Sequence, residues 1–303
     1  MSVVRKRWFR IAGTLVASGT LVLSGTAAAD AKTRCRPDRP PVIGISVTTD
    51  GGFSLPKVVH AGLTTFRVGT PEAGSFHGIQ GFRLNHGATL ARAMDDINRT
   101  LGDDRAEAAM GVMDLTHDVT EIGVITTTSY APQEVTIPLT AGTYYFLDLN
   151  DVNNPPLTPR LHKLKVVGNY KSYRAPKYSA TFEATMINDL PRFRAPSQFP
   201  HDGTFRGIIT GDELHEIVVR PVRPGIDQAY LDTYYEAVRN GTTPPASPWT
   251  GGATGMQSMS PGRWGIVHLN LPPGQYALVC YVPSHDSGLP HTYIGMYKMI
   301  TLT

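Results

Sequence analysis

The 303-residue chain carries 28 Lys and Arg against 25 Asp and Glu, with 41% hydrophobic residues, 30 Gly, 24 Pro and two Cys. That length suits two ordinary domains, and the Gly and Pro content suits many turns and short strands. Four of the basic residues and no acidic one fall in residues 1–29, so the remainder carries 24 basic against 25 acidic, a net charge of −1. Such a balance argues against a nucleic-acid partner or a polybasic membrane patch.

Residues 1–29 read as a signal peptide. Arg5-Lys6-Arg7 and Arg10 form a basic region, Ile11 to Leu23 an apolar core, and Ala27-Ala28-Ala29 a small-residue cleavage site. The apolar run is too short and too rich in Gly, Ser and Thr to span a membrane. The expectation is a secreted or extracytoplasmic protein, cleaved near Ala29 and not transmembrane afterwards. Lys6-Arg7-Trp8-Phe9 loosely resembles a twin-Arg export signal, with Lys where the first Arg belongs.

Residues 30–41 are polar and Pro-rich, an N-terminal tail that contains Cys35. Short apolar runs follow, from Val42-Ile-Gly-Ile-Ser-Val and Thr64-Thr-Phe-Arg-Val onward, divided by Gly, Asp and Pro turns. One helix is expected over Thr89 to Leu101, where Leu90, Ala93, Met94, Ile97 and Leu101 recur at helical spacing and Gly102 stops it. Strand-like runs resume at Ile122 and reach Gly168. Residues 169–177 lack apolar periodicity and read as a linker.

The second half, 178–303, repeats the plan of 42–168. Its single expected helix carries the stripe Ile226, Ala229, Tyr230, Thr233, Tyr234, Ala237 and Val238, with Asp227 as cap and Gly241 as stop. Val135-Thr-Ile-Pro-Leu-Thr-Ala-Gly-Thr-Tyr-Tyr-Phe-Leu-Asp148 aligns with Val267-His-Leu-Asn-Leu-Pro-Pro-Gly-Gln-Tyr-Ala-Leu-Val-Cys280. His77-Gly-Ile aligns with His215-Glu-Ile, and Arg160-Leu-His-Lys-Leu with Gly295-Met-Tyr-Lys-Met. Self-similarity at this spacing implies two copies of one unit. Short strands with one helix between them point to an all-β fold: two tandem Greek-key β-sandwiches, each with one inserted helix.

The chemistry concentrates at one end. Ten residues separate Cys280 from His291, and four more lie between His291 and Met296. A thiolate, imidazoles and a weak axial thioether are the donors of a blue-copper centre. With Pro-Gly-Gln-Tyr-Ala-Leu-Val-Cys280, His291, Gly295-Met296 and the upstream His215, the second half resembles the cupredoxin family, the fold of plastocyanin and azurin. The resemblance implies one type 1 copper ion held by His215, Cys280 and His291 with Met296 axial. It also implies electron transfer or copper carriage, with a redox partner protein. The Cys-to-His loop is longer than in the small electron carriers and contains a rival ligand, His285. His268 is expected at the surface of a strand, and Met256, Met259 and Met299 in packing roles.

The first half departs from that pattern. Asp148 stands for the Cys, Leu161 for the Met and Pro156 near the second His, which leaves His77 alone. An enzyme is not expected. Val279 and Tyr281, not His, flank Cys280, no His-x-His occurs, and no hydrolase or phosphate-loop motif is present. The alternatives are a Cys35–Cys280 disulfide in a copper-free secreted binding or structural sandwich, and a buried inert thiol.

Overall fold

The computed structural model describes residues 38–48, 52–70, 77–127, 132–149 and 160–303. The signal peptide, most of the tail with Cys35, and Pro156 lie outside them. In chain order, β1 (Val42–Ser46), β2 (Val58–Gly69) and β3 (His77–Leu84) lead into α1 (Leu90–Thr100) and α2 (Arg105–Asp118). β4 (Val119–Glu121), β5 (Ile125–Thr127), β6 (Gln133–Leu139), β7 (Gly142–Asp148) and β8 (His162–Lys171) complete the first half. Asn169–Lys171, at the start of the expected linker, continue β8.

The second half holds β9 (Ala180–Ile187), β10 (Leu190–Arg194), β11 (Gln198–Phe199), β12 (Thr204–Ile209) and β13 (His215–Pro221). After α3 (Gln228–Arg239) come β14 (Thr254–Met259), β15 (Trp264–His268), β16 (Gly274–Val279), a 3-10 turn at His291–Ile294 and β17 (Tyr297–Leu302).

The strands form two facing layers that run through both halves. One layer is ordered β1-β2-β6-β15-β12-β9-β10 and the other β8-β7-β3-β5-β14-β13-β16-β17-β11. β2 passes between them, pairing β8 through Val58–His60 and β6 from Gly62 onward. The halves are stitched by β6 to β15, with Val135 opposite Val267, and by β5 to β14, with Thr126 opposite Gly255. The all-β expectation is thus met as a largely β, mixed-sheet fold with a few helices, whose layers continue from one half into the other. Apolar residues alternating along strands such as β12 face inward. Phe66, Phe146, Phe182, Phe205, Ile217 and Leu278 share one buried cluster drawn from both halves. Phe182 and Phe205 stack at 4.2 Å, a contact worth about 0.5–1.5 kcal/mol beyond the area it buries.

The first half has two helices where one was expected. α1 matches its expected span to within a residue, capped by Thr89, whose hydroxyl accepts from Arg92 N–H. α2 escaped the periodicity because Ala108 and Gly111 form much of its buried side beside Val112 and Leu115. A Cβ at Gly111 would lie 2.6 Å from Thr100 N, so only glycine lets the two helices approach this closely. Together they cover the outer face of β3 and β7, with Ala93 and Ile97 of α1 in one buried cluster with Phe82 and Leu147. α3 covers the matching face of the second half. Asp227 caps it as expected, but its buried residues are Leu231 and Tyr235 rather than the Ala229/Thr233 side. Tyr235 wins the inner position because its ring packs with Trp249, Tyr293 and Tyr297. No helix among the described residues is long and apolar enough to cross a membrane.

Candidate metal centre

Cys280 follows β16, His215 opens β13 and His291 opens the 3-10 turn, and all three are fully buried. Their donor atoms converge. His215 Nδ1 lies 3.1 Å from His291 Nδ1, and Cys280 Sγ lies 3.4 Å from His291 Nδ1 and 3.8 Å from His215 Nδ1. A point equidistant from all three is about 2.0 Å from each. Metal bonds to imidazole nitrogen run about 2.0–2.1 Å and those to thiolate about 2.3 Å. The donor set and its spacing therefore fit a first-row metal ion.

The long loop between Cys280 and His291 is an excursion pinned at its base. Thr292 N–H donates to Cys280 O at 2.9 Å and His291 N–H to Val282 O at 3.0 Å. Higher up, Pro283 bridges to Pro290, and Ser284 N–H donates to Leu289 O. Loop length thus has little bearing on where His291 stands. The tip rests on the start of α2. Gly288, at φ +65°, is so close that a Cβ there would fall 1.8 Å from Arg105 O. The helix missing from the sequence reading, contributed by the first half, buttresses the loop of the second.

Glu213, two residues before His215, was not singled out from the sequence. Its Oε2 accepts from His291 Nε2, and its Oε1 lies 3.2 Å from His285 Nε2. With Nε2 of His291 committed as donor, Nδ1 presents its lone pair to the centre, and the carboxylate fixes both tautomer and ring orientation. Burial raises the Glu213 carboxyl, but the hydrogen bond from His291 and the charges of His291 and His285 outweigh it, leaving it below its usual range. The only sequence signal was an acid next to an apolar residue before a candidate ligand. His285, the rival ligand, stands outside the triad as the outer partner of Glu213.

Burial, reinforced by His291 and His285, holds His215 well below the usual imidazole range, so its ring is neutral and able to donate a lone pair. Its Nε2 is buried without a hydrogen-bond partner. Burial and the charge of Glu216 push the Cys280 thiol well up, so a cation at the centre would be needed to hold a thiolate. Cys280 is buried and pairs with no other cysteine among the described residues, and Cys35, the second half of the disulfide the sequence leaves open, lies outside them. Met296 is fully buried in the same apolar cluster as Cys280, and its N–H donates to His291 O at 2.8 Å. Arg192 holds the preceding turn by donating to Ile294 O at 2.8 Å.

The other flagged residues lie apart. His268 is exposed on β15 with its Nδ1 3.1 Å from Thr204 Oγ1 across the ladder. Met256 and Met259 are core residues, and Met299 packs under α3. In the first half, His77 Nδ1 meets Asp148 Oδ2 at 2.6 Å, both buried, and Gly78 N–H donates to Asp148 Oδ1.

Two more carboxyls are buried nearby in the chain's interior, Glu216 next to His215 on β13 and Glu121 at the end of β4. Glu216 accepts from Tyr281 N–H at 2.6 Å, and burial, against that bond, pushes it up to about 7. Burial pushes Glu121 up to about 7 as well, opposed by the Ser258 hydroxyl and aided by the charge of Glu216. A raised folded-state value means the folded chain keeps a proton that the unfolded chain gives up. Stability therefore falls as pH rises from about 4.5 to about 7 and levels off above. The slope is at most about 1.4 kcal/mol per pH unit for each carboxyl. Urea midpoints at pH 5 and pH 7 should differ less in Glu121→Gln than in the wild type. An undiminished difference would remove Glu121 from this account.

No protein-family model matches the sequence, and no curated protein matches it. Among solved structures the chain is similar to auracyanin A, a blue copper protein from Chloroflexus aurantiacus, at 18% identity. That match covers 42% of this chain and 99% of that one, with a TM-score of 0.28. It is also similar to a dithionite-reduced auracyanin from Roseiflexus castenholzii, at 23% identity over 42% of this chain and 99% of that chain, TM-score 0.24. A third similar structure is a blue copper oxidase from Nitrosomonas europaea, at 12% identity over 88% of this chain and 85% of that chain, TM-score 0.21.

Proposed function

We propose that this is a cupredoxin-like protein in which His215 Nδ1, His291 Nδ1 and Cys280 Sγ would hold a single type 1 copper ion, with the Met296 thioether as a further weak donor. The observation that carries the reading is the convergence of two imidazole nitrogens and one thiol sulfur in a fully buried pocket. Copper bound there would supply a one-electron couple. The chain's own part is to hold the donors still. Strand β13 and the pinned loop position the two rings, Glu213 orients His291, and the surrounding apolar cluster excludes water. Electron transfer or copper carriage follows from such a site. We do not assign an oxidase activity, because Val279 and Tyr281 flank Cys280 and offer no imidazole to lead to a second metal centre.

We further propose that the two halves are copies of one unit and that the first has no such site. In the first half Ile79 stands opposite Asp148, two residues after His77. In the second, Val218 stands opposite Val279, so Ile217 and Cys280 are one step further along that ladder, two residues after His215. The His77–Asp148 pair would then occupy the place of His215 and Cys280, filling it with a hydrogen-bonded pair. Residues 1–29 support export in this reading, which N-terminal sequencing of the exported form would check.

Titration with Cu(II) tests the proposal. One equivalent should give an intense visible thiolate-to-copper band that ascorbate bleaches and an oxidant restores. Cys280→Ser should lose the band entirely, while His77→Ala should keep it. Absence of any band in a wild type shown to retain a free thiol would overturn the assignment.

A further inference from the structure

A cavity of about 500 Å³ lies behind the metal centre, under α1 and the turn that joins it to α2. Leu214 and Glu216, the neighbours of His215, form one wall with Tyr281 to Pro283; β7 and β14 form the others. Ile97, Leu115, Leu147 and Leu214 make the surface largely apolar.

Apart from the Ser258 hydroxyl, its unpartnered buried polar groups are acceptors. Glu121 is 4% exposed and Gln80 3% exposed, and Glu121 Oε2 and Gln80 Oε1 are buried without a hydrogen-bond partner. The Gln80 amide is fixed in that sense, because its Nε2 donates to Ser258 O at 3.0 Å and to Gly81 O at 3.1 Å. The Ser258 hydroxyl can supply at most one donor to these two acceptors, and leaving the other unpaired is costly, so the cavity favours an occupant that donates. The lining includes Asp103, Glu121 and Glu216 and, among the described residues, no Lys, Arg or His. An anion is disfavoured there, and a bare metal ion would leave the apolar walls unused. A donor cation on an apolar body matches both.

We propose that this cavity binds a small primary organic amine, its ammonium between Glu121 and Gln80 and its hydrocarbon along Ile97, Leu115 and Leu214. The site is independent of copper and is reached past Leu101, which is 47% exposed at its rim.

Calorimetric titration of the purified full chain at pH 8, where Glu121 is ionised and the amine still protonated, in EDTA so that no metal–amine contact contributes, tests this with n-hexylamine, 1-hexanol and hexanoate. Hexylamine should bind saturably at one site, at least about tenfold more tightly than the other two. Glu121→Gln should remove that preference, and Leu101→Trp, at the rim and away from the polar groups, should weaken hexylamine about tenfold or more. A cooperative thermal transition would confirm that each variant is folded. No saturable heat with hexylamine, equal binding of hexanol, or unchanged binding by the folded variants would overturn the proposal.

Discussion

Asp148→Ala should destabilise the fold by about 2–6 kcal/mol, about 1–3 kcal/mol for each of two buried groups left without its hydrogen-bond partner. Asp148 is fully buried, accepts from Gly78 N–H at 3.1 Å and lies 2.6 Å from His77 Nδ1. Alanine would leave the imidazole and a backbone N–H without their acceptor, inside a layer continuous with that of the second half. Asp148→Asn keeps an oxygen in place and should cost less. The double variant with His77→Ala should cost less than the two single changes added together, since both delete one interaction. Urea unfolding of the four variants measures this. A cost for Asp148→Ala under about 1 kcal/mol, as for an exposed pair, would contradict it.

Glu213→Ala should weaken copper binding roughly 10–100-fold, the usual loss when the hydrogen-bond partner of a ligating imidazole is removed. Glu213 is the acceptor for His291 Nε2, and with it gone the ring can turn or take the other tautomer, withdrawing its Nδ1 lone pair. Glu213→Gln retains an acceptor oxygen and should recover much of the loss. His285→Ala, which touches only the outer carboxylate oxygen, should matter far less. Competition against a copper chelator gives the affinities. Equal affinities for the alanine, glutamine and wild-type proteins would show that Glu213 does not position His291.

The sequence made the donors legible and hid their support. His215, Cys280 and His291 were readable because soft-metal chemistry admits few residue types and their order along the chain survives any loop length. What made the loop look too long, its ten residues, has little effect in space because hydrogen bonds at its base close it. Glu213 was hidden because a lone acid carries no periodic signal, and only three-dimensional contact reveals that it faces the far nitrogen of His291.

Elsewhere the misses have particular causes. α2 buries small residues, so the 3.6-residue apolar rhythm fades, although Asp104 and Glu107 at its start did offer an N-cap signature. In α3 the tyrosines blurred the stripe by one position, because Tyr reads as apolar or polar according to where its hydroxyl ends. The joining of the halves through β6–β15 and β5–β14 rests on pairing between residues more than a hundred positions apart, for which local pattern gives no hint. The strands themselves, read from alternation and turn residues, were the easiest part.

X-ray absorption at the copper edge of the protein loaded with one equivalent of Cu(II) tests the central claim most directly. The account predicts a first shell of two nitrogen scatterers at ~2.0 Å and one sulfur at a short thiolate distance, with the sulfur lost in Cys280→Ser. A first shell of nitrogen and oxygen alone in the wild type would contradict it.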